Sequence, residues 1–328
     1  MRMNRTKGAA RWLILPMVVA VLALAAGPVR AAAYTEHDGE FTTSDHPGAG
    51  TGSGQGTFPS GLNNRGDIVG DWVDGSNRNF GYLLHNGHFT AINHPKAGKL
   101  PGQGTNPIDI SSDGVVIGYY VDKGNGFRGF MLRNGHYSAL DDPSAGTGPG
   151  LGTIPQGINE SGLISGLMVD GKGKLHAFIL KNGHYTSVDD PHEGTADAPN
   201  GGTFFAGMND HGVIAGGYHD SINVVHGLVY RDGHLREYND PHAGSATGEG
   251  TVLFSINDHG VLVGYYVDSS MVTHGMVLRD GEFTTVDDPL GVSSNLQSIN
   301  DHGTIIGTYN DAAGATHGFI LDREDEDD

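Results

Sequence analysis

The sequence predicts an all-β fold, a six-bladed β-propeller of four-stranded antiparallel blades, and three observations lead to it. A unit of about fifty residues recurs along the chain, each copy contains four short strand-like runs, and the run missing from the last copy stands before the first. The copies end at prolines spaced 48, 48, 50 and 48 residues apart, namely Pro95, Pro143, Pro191, Pro241 and Pro289.

Each copy contains four predicted strands, which we call a, b, c and d. Strands a and b are joined by a turn such as Asn257-Asp258-His259-Gly260, in which glycine supplies a positive φ. Strand c ends in Asn-Gly or Asp-Gly, the strongest short hairpin signals. Strand d ends before the proline, which cannot continue a ladder of backbone hydrogen bonds. A glycine-rich crossing then leads to the next copy.

The sixth copy indicates how the ring closes. It stops after strand c, at Gly318-Phe319-Ile320-Leu321, and no strand d follows. The residues 38–43 match the strand d residues 280–285 almost letter for letter. We therefore expect this N-terminal strand to complete the last blade and to remove an exposed sheet edge. The alternative is an open β-solenoid, which would need a capping repeat that the sequence does not show.

The composition excludes several classes of protein. The 54 glycines in 328 residues suit frequent tight turns rather than long helices. With no cysteine, the chain has neither a disulfide framework nor a thiolate metal site. A net charge of −19 repels nucleic acid and anionic lipid, so we expect no nucleic-acid partner.

The two ends differ from the repeats. Residues 1–33 combine a basic start, an apolar run over 12–26 and a small-residue cleavage site, which predicts a secretory signal peptide. A retained membrane anchor is the alternative, although the run is too short for an ordinary span. We therefore expect an exported, periplasmic or extracellular monomer without an integral membrane span. Residues 34–322 would form a single propeller domain, and residues 323–328 a solvated acidic tail.

Two polar positions recur and are the candidate binding residues. An aspartate ends strand b in every copy, and in copies three to six a histidine begins strand c six residues later. The aspartates are Asp74, Asp122, Asp170, Asp220, Asp268 and Asp311, and the histidines are His176, His226, His274 and His317.

Each pair has two interpretations. It can be a hydrogen bond that fixes the b–c hairpin, because polar groups at blade corners need partners. Alternatively the pairs form a ring around the mouth of the central channel and bind a cation. Carboxylates suit Ca²⁺, and imidazoles suit Zn²⁺ or Ni²⁺.

The repeats resemble those of the HAF-repeat family of predicted extracellular proteins. The triplet that gives the family its name is His176-Ala177-Phe178, and related triplets begin at His226, His274 and His317. Copies one and two depart from it, with Phe80 and Arg128 in the histidine position. The resemblance covers nearly all of the chain after residue 33. It implies export and a repeat fold, and it transfers no catalytic residues.

Two hypotheses for function remain at this level. The chain contains no nucleophile elbow, no Walker loop and no zinc-protease motif. The near-identical blades favour a non-catalytic binding or scaffold propeller for a protein, glycan or cation, with Ca²⁺ as the candidate ion. The alternative is a secreted carbohydrate-acting or metal-dependent hydrolase or lyase in the irregular first two copies. Its candidate residues are Trp72, Asp74, Tyr119, Tyr120 and Arg128.

Overall fold

The computed structural model describes residues 39–194 and 201–323. The expected signal peptide lies outside the described residues, as does the acidic tail after residue 323. Within the described ranges, no helix is long and apolar enough to cross a membrane.

The described chain forms 24 strands in six blades, as predicted. Blade one contains β2 to β5, blade two β6 to β9, blade three β10 to β13, blade four β14 to β17, blade five β18 to β21, and blade six β22 to β24 with β1. In chain order the strands are β1 Gly39–Thr43, β2 Gly56–Leu62, β3 Ile68–Val73, β4 Asn79–His85, β5 His88–Ile92, β6 Gly104–Ile110, β7 Val116–Val121, β8 Phe127–Arg133, β9 His136–Ala139, β10 Gly152–Ile158, β11 Ile164–Val169, β12 Leu175–Lys181, β13 His184–Ser187, β14 Gly202–Met208, β15 Ile214–His219, β16 Val225–Arg231, β17 His234–Glu237, β18 Gly250–Ile256, β19 Leu262–Val267, β20 Thr273–Arg279, β21 Glu282–Thr285, β22 Ser293–Ile299, β23 Ile305–Asn310 and β24 Thr316–Arg323.

The predicted closure of the ring is confirmed. Strand β1 pairs antiparallel with β24 from Gly39 opposite Arg323 to Thr43 opposite Phe319. The rings of Phe41 and Phe319 meet edge to face, with centroids 5.1 Å apart. The first and last strands of the described chain therefore share one blade, and the polypeptide closes without a disulfide.

Strand a is the innermost strand of each blade and begins with a close approach to the preceding blade. Gly56 pairs in parallel with Thr316, the first residue of strand c of blade six. A β-carbon on Gly56 would lie 1.8 Å from the Thr316 carbonyl oxygen, and its φ is +138°. Only glycine tolerates this conformation and contact. The equivalent glycines in blades two to five are Gly104, Gly152, Gly202 and Gly250.

The core lies between neighbouring blades and explains the recurring triplet. Its third residue, for example Phe178, is fully buried and packs against Tyr185 of strand d with ring centroids 5.1 Å apart. Its second residue is small in every blade: Ala177 is fully buried, and the other blades have glycine, which at Gly129 leaves no room for a β-carbon against the Leu140 carbonyl oxygen. Two of the three positions are therefore explained by packing alone.

Candidate functional site

The aspartates that end strand b shape the b–c turn. In blade three, Asp170 Oδ1 accepts hydrogen bonds from the backbone N–H groups of Lys172 at 2.8 Å and Lys174 at 3.0 Å. The same pair of bonds occurs in each of the other blades, at Asp74, Asp122, Asp220, Asp268 and Asp311. These bonds stabilise the carboxylate and fix the turn.

The histidines meet these aspartates across the hairpin, as the spacing predicts. In blade five, His274 Nε2 lies 3.7 Å from Asp268 Oδ2, and Nδ1 lies 2.7 Å from Asp287 Oδ2 at the end of strand d. The hydrogen bond to Asp287 raises the pKa of His274 above its usual value. His176, His226 and His317 bridge their own b–c turns to the end of strand d in the same way.

The expected placement of these pairs around the channel mouth differs from the structure. None of the ten predicted binding residues lines the central cavity. The b–c turns of blades three and four border the cavity through Gly171, Lys172, Gly173 and Asn223, but the paired aspartates and histidines are not among its lining residues. Among the described residues, no group of three or more His, Asp or Glu side chains is arranged to hold a metal ion. Binding by these residues stays a prediction.

The prominent concave feature of the described chain is a central cavity of about 1140 Å³ along the propeller axis. Strand a and the inward face of strand b supply its wall, and apolar residues make up much of it. Five aromatic side chains contribute to that wall, namely Phe58, Tyr119, Phe127, Phe254 and Tyr265. A large apolar pocket with a few polar groups is typical of a ligand site.

Asp71 is a carboxyl group in this wall that no other blade has. The equivalent positions hold Tyr119, Leu167, Gly217, Tyr265 and Thr308. Asp71 is 8% exposed, and its Oδ2 accepts a hydrogen bond of 2.8 Å from the amide of Asn79. Burial raises its pKa to about 7, and the hydrogen bond from Asn79 offsets part of that effect. This carboxyl group is therefore protonated in much of the protein at neutral pH.

Asp109 is a second acid in the wall, and it is also unlike its equivalents. Gly61, Gly157 and Gly207 occupy that position in blades one, three and four. Its two oxygens accept the backbone N–H groups of Ile110 at 2.9 Å and Ile158 at 2.8 Å. Burial raises its pKa to about 6, against the effect of these hydrogen bonds. Because Ile158 belongs to blade three, Asp109 also links two blades.

Two further polar residues of the wall depart from the repeat. His219 stands where blades one, two, three and five have valine, and burial lowers its pKa to about 4, so the ring is neutral. Its Nδ1 has no hydrogen-bond partner among the described residues. Glu249 is 7% exposed and stands where Gln55 and Gln103 precede strand a of blades one and two.

The a–b turns surround one mouth of the cavity with two rings of hydrogen bonds. In the inner ring, the Asn209 amide donates to the Asn257 carbonyl oxygen at 3.1 Å, and Asn257 donates likewise to Asn300. In the outer ring, the Asp210 N–H donates to Asp258 Oδ1 at 2.9 Å, and the Asp258 N–H donates to Asp301 Oδ1 at 2.7 Å. These bonds join blade to blade around the axis.

The sequence pattern indicates only part of this site. Of the candidate residues in the irregular first two blades, Tyr119 lines the cavity, and the others do not, namely Trp72, Asp74, Tyr120 and Arg128. Trp72 instead stacks between His46 and Phe80, with centroids 4.4 and 4.5 Å away. The signal that could have found Asp71 and Asp109 was an acid at a position where other copies carry apolar or small residues.

Comparisons with known proteins establish the fold. No protein-family model matches the chain, and no match is found among curated sequences. The solved structure of AofleA from Arthrobotrys oligospora is similar, with a TM-score of 0.55 and 13% identity over 85% of this chain and 86% of that one. The fucose-specific lectin from Aleuria aurantia has a TM-score of 0.52 and 10% identity over 78% of this chain and 90% of that one. The chain is a six-bladed propeller.

Proposed function

We propose that this chain is a non-catalytic binding propeller that holds a glycan in its central cavity. The observation that carries the proposal is the wall itself, in which five aromatic side chains accompany the polar groups Asp71, Asp109, Gln156 and Gln297. Aromatic faces suit the apolar face of a sugar ring, and amides and carboxyls suit its hydroxyl groups. The similarity in fold to a lectin named for fucose supports this choice.

The volume and the protonation of the site also fit a glycan. A cavity of about 1140 Å³ is slightly larger than most small-ligand pockets and accommodates a short oligosaccharide. A carboxyl with a pKa near 7, such as Asp71, can both donate and accept a hydrogen bond at neutral pH. Sugar hydroxyl groups need both kinds of partner.

The test is calorimetric titration of the purified protein with a panel of mono- and oligosaccharides that includes fucosides. The variant Gln156→Trp fills part of the cavity, and we expect it to abolish binding. Lys181→Trp, at the exposed end of strand c, serves as the control and should bind normally. No binding by any glycan, or equal binding by both variants, would contradict the proposal.

A carbohydrate-acting hydrolase is the second candidate, because Asp71 and Asp109 are unlike acids in the irregular first two blades. Paired carboxyl groups with different environments are typical of glycoside hydrolysis. Incubation of the bound glycans with the protein, followed by a reducing-sugar assay, separates the two functions. Turnover that disappears in both Asp71→Asn and Asp109→Asn would favour the enzyme. Binding without turnover would favour the binding propeller.

A cation at the b–c corners can be tested in parallel. Metal content of the purified protein and melting curves with and without chelator examine the aspartate and histidine pairs directly. A bound Ca²⁺ ion would raise the melting temperature relative to the chelated protein. Equal melting temperatures and no metal would exclude this role.

We also propose that the protein is exported as a monomer. The composition of residues 1–33 and the resemblance to HAF-repeat proteins support export. Mass spectrometry of the protein from culture medium and periplasm tests it, because cleavage near residue 33 would remove the basic segment. Intact residues 1–33 in a membrane fraction would favour the anchor instead.

A further inference from the structure

Acidic side chains greatly outnumber basic ones in the lining of the central cavity. Among the described residues, seven carboxyl groups line it, and Lys172 is the one lysine or arginine that does. The carboxyl groups belong to Asp71, Asp109, Glu160, Asp210, Glu249, Asp258 and Asp301. His219 adds no positive charge at neutral pH, because burial keeps its ring neutral. A low-dielectric wall concentrates the field of these charges inside the cavity.

The acids are distributed along the whole length of the cavity. Glu249 precedes strand a, so it lies at the mouth formed by the b–c turns and crossings. Asp71 and Asp109 lie in the wall between the two mouths. Glu160, Asp210, Asp258 and Asp301 lie in the a–b turns at the opposite mouth. A ligand that spans the cavity therefore meets carboxyl groups at each level.

The three buried acids of the cavity, Asp71, Asp109 and Glu249, accept hydrogen bonds only from neutral groups within the described chain. Asp71 accepts from an amide, and Asp109 accepts from two backbone N–H groups. Glu249 Oε2 accepts from the backbone N–H of Ala246. A buried carboxylate without a cation is costly, and a cation in contact with it favours the ionised form. These carboxyl groups can therefore form ion pairs with a cationic ligand that enters the cavity.

The repeat itself shows that Glu249 is not required by the architecture. In blades one and two the equivalent glutamines donate a hydrogen bond to an asparagine of the b–c turn, from Gln55 to Asn77 at 2.9 Å and from Gln103 to Asn125 at 2.8 Å. A glutamate cannot donate this bond, and Met271 stands in place of the asparagine. Blade five lacks this hydrogen bond and has a carboxylate that borders the cavity instead.

Resting on the proposed glycan site, we propose that its ligand is an oligosaccharide of free amino sugars whose ammonium groups pair with the carboxyl groups of the cavity. Successive sugar units place ammonium groups at intervals, which matches acids spread along the axis. Aromatic walls suit both the sugar faces and the ammonium groups, through cation–π contact. A single metal ion fits less well, since no group of three described His, Asp or Glu side chains converges.

The test compares two ligands of equal length, a tetramer of glucosamine and a tetramer of N-acetylglucosamine, by calorimetry near pH 6. We expect the glucosamine tetramer to bind at least tenfold more tightly and to lose affinity as salt rises. Its binding should also release protons from Asp71 and Asp109, so the heat should depend on the ionisation enthalpy of the buffer. The acetylated tetramer should show neither effect.

Variants that use residues of the other blades keep the fold intact. Glu249→Gln introduces the residue of blades one and two, and Asp109→Ser introduces the residue of blades five and six. We expect the double variant to weaken binding of the glucosamine tetramer at least tenfold, with a modest fall in melting temperature because the Ile158 N–H loses its acceptor. Glu249→Gln alone should weaken binding without that fall. Asp232→Asn, at a side chain that is 88% exposed in a c–d turn, is the matched control and should bind normally.

The outcomes distinguish this inference from the proposed function. Equal binding of both tetramers overturns the amino-sugar inference and leaves a glycan site in place. Binding of neither tetramer overturns the inference, while fucosides or other neutral glycans that bind would still support the glycan site. Glucosamine binding that the double variant and Gln156→Trp leave unchanged also overturns the inference, because it would then arise from the acidic surface.

Discussion

The b–c corners and the cavity wall of this propeller differ in how far their residues repeat from blade to blade. The b–c corners carry the same aspartate in every blade, and its side chain is used in hydrogen bonds that fix a turn. The cavity wall carries Asp71, Asp109 and Glu249 at positions where other blades have different residues. Repetition therefore marks what each blade needs in order to fold. Asp71, Asp109 and Glu249 depart from the repeat and line the central cavity, where we propose that a ligand binds.

The inner ring of hydrogen bonds also contains both repeated residues and one that departs from the repeat, in blade two. Asn63, Asn159, Asn209, Asn257 and Asn300 occupy the inner ring, and Ser111 replaces asparagine in blade two. Asn63 still donates to the Ser111 carbonyl oxygen at 3.2 Å. Serine is too short to donate onward to blade three, so one link is missing. A repeated position tolerates a single departure because five other links hold the ring.

Removal of the closing strand should have the largest effect on the repeated framework. A chain that begins at Pro47 lacks β1, so β24 loses its partner and Phe319 loses its contact with Phe41. We expect a loss on the order of 5 kcal/mol or more, comparable to the whole stability of many domains. Urea unfolding measures it, and a chain that begins at residue 34 is the control. Equal stability of the two chains would contradict the role of β1 in closure.

Asp71→Asn should show how much the buried carboxyl group of the cavity wall lowers the free energy of unfolding at high pH. In the native protein this carboxyl binds its proton more tightly than in the unfolded chain, because burial raises its pKa to about 7. The free energy of unfolding should therefore fall as pH rises from about 4 to about 7. Asparagine keeps the hydrogen bond from Asn79 and carries no charge.

We expect Asp71→Asn to be more stable than the natural protein by roughly 2–4 kcal/mol at pH 8 and about equal to it at pH 4. Urea unfolding at both pH values measures the difference. Asp232→Asn, with an exposed side chain, should show no such dependence. A difference between Asp71→Asn and the natural protein that is the same at both pH values would argue against a buried protonated carboxyl.

Asn209→Ala and Ser111→Asn test the inner ring in opposite directions. Alanine at 209 leaves the Val213 N–H without its acceptor and removes one of the two donors to the Asn257 carbonyl oxygen, so we expect a loss of about 2 kcal/mol. Asparagine at 111 can form the missing link to blade three, so we expect a gain of roughly 0.5–1 kcal/mol. Thermal unfolding measures both. A neutral Asn209→Ala would show that the ring adds nothing to stability.

Met271→Asn should have a small effect, similar in size to that of Ser111→Asn, and it tests a departure from the repeat within a b–c turn. Met271 has a φ of +62°, a conformation in which the other blades place Asn77, Asn125, Gly173, Asn223 and Gly314. A left-handed backbone costs an ordinary residue roughly 1–2 kcal/mol. We expect Met271→Asn to gain about 1 kcal/mol and the reverse exchange Asn223→Met to lose about as much, both by urea unfolding. Equal signs for the two exchanges would exclude backbone strain as the cause.

The sequence was sufficient to predict the strands, the six blades and the closure. Glycine and asparagine in the turns, a proline after strand d and alternating apolar runs act over a few residues, and six copies reinforce each other. Even the pairing of His274 with Asp268 followed from hairpin geometry, because residues on facing strands of a hairpin lie opposite each other at a fixed spacing.

Tertiary structure alone decided which residues face the cavity. A strand presents alternate residues to its two faces, so the sequence shows that Asp71 and Trp72 point in opposite directions. It does not show which direction is the axis, because that depends on how six blades pack around strand a. The packing places Asp71, Asp109 and Glu249 in the lining of the central cavity. The predicted aspartate and histidine pairs do not line it.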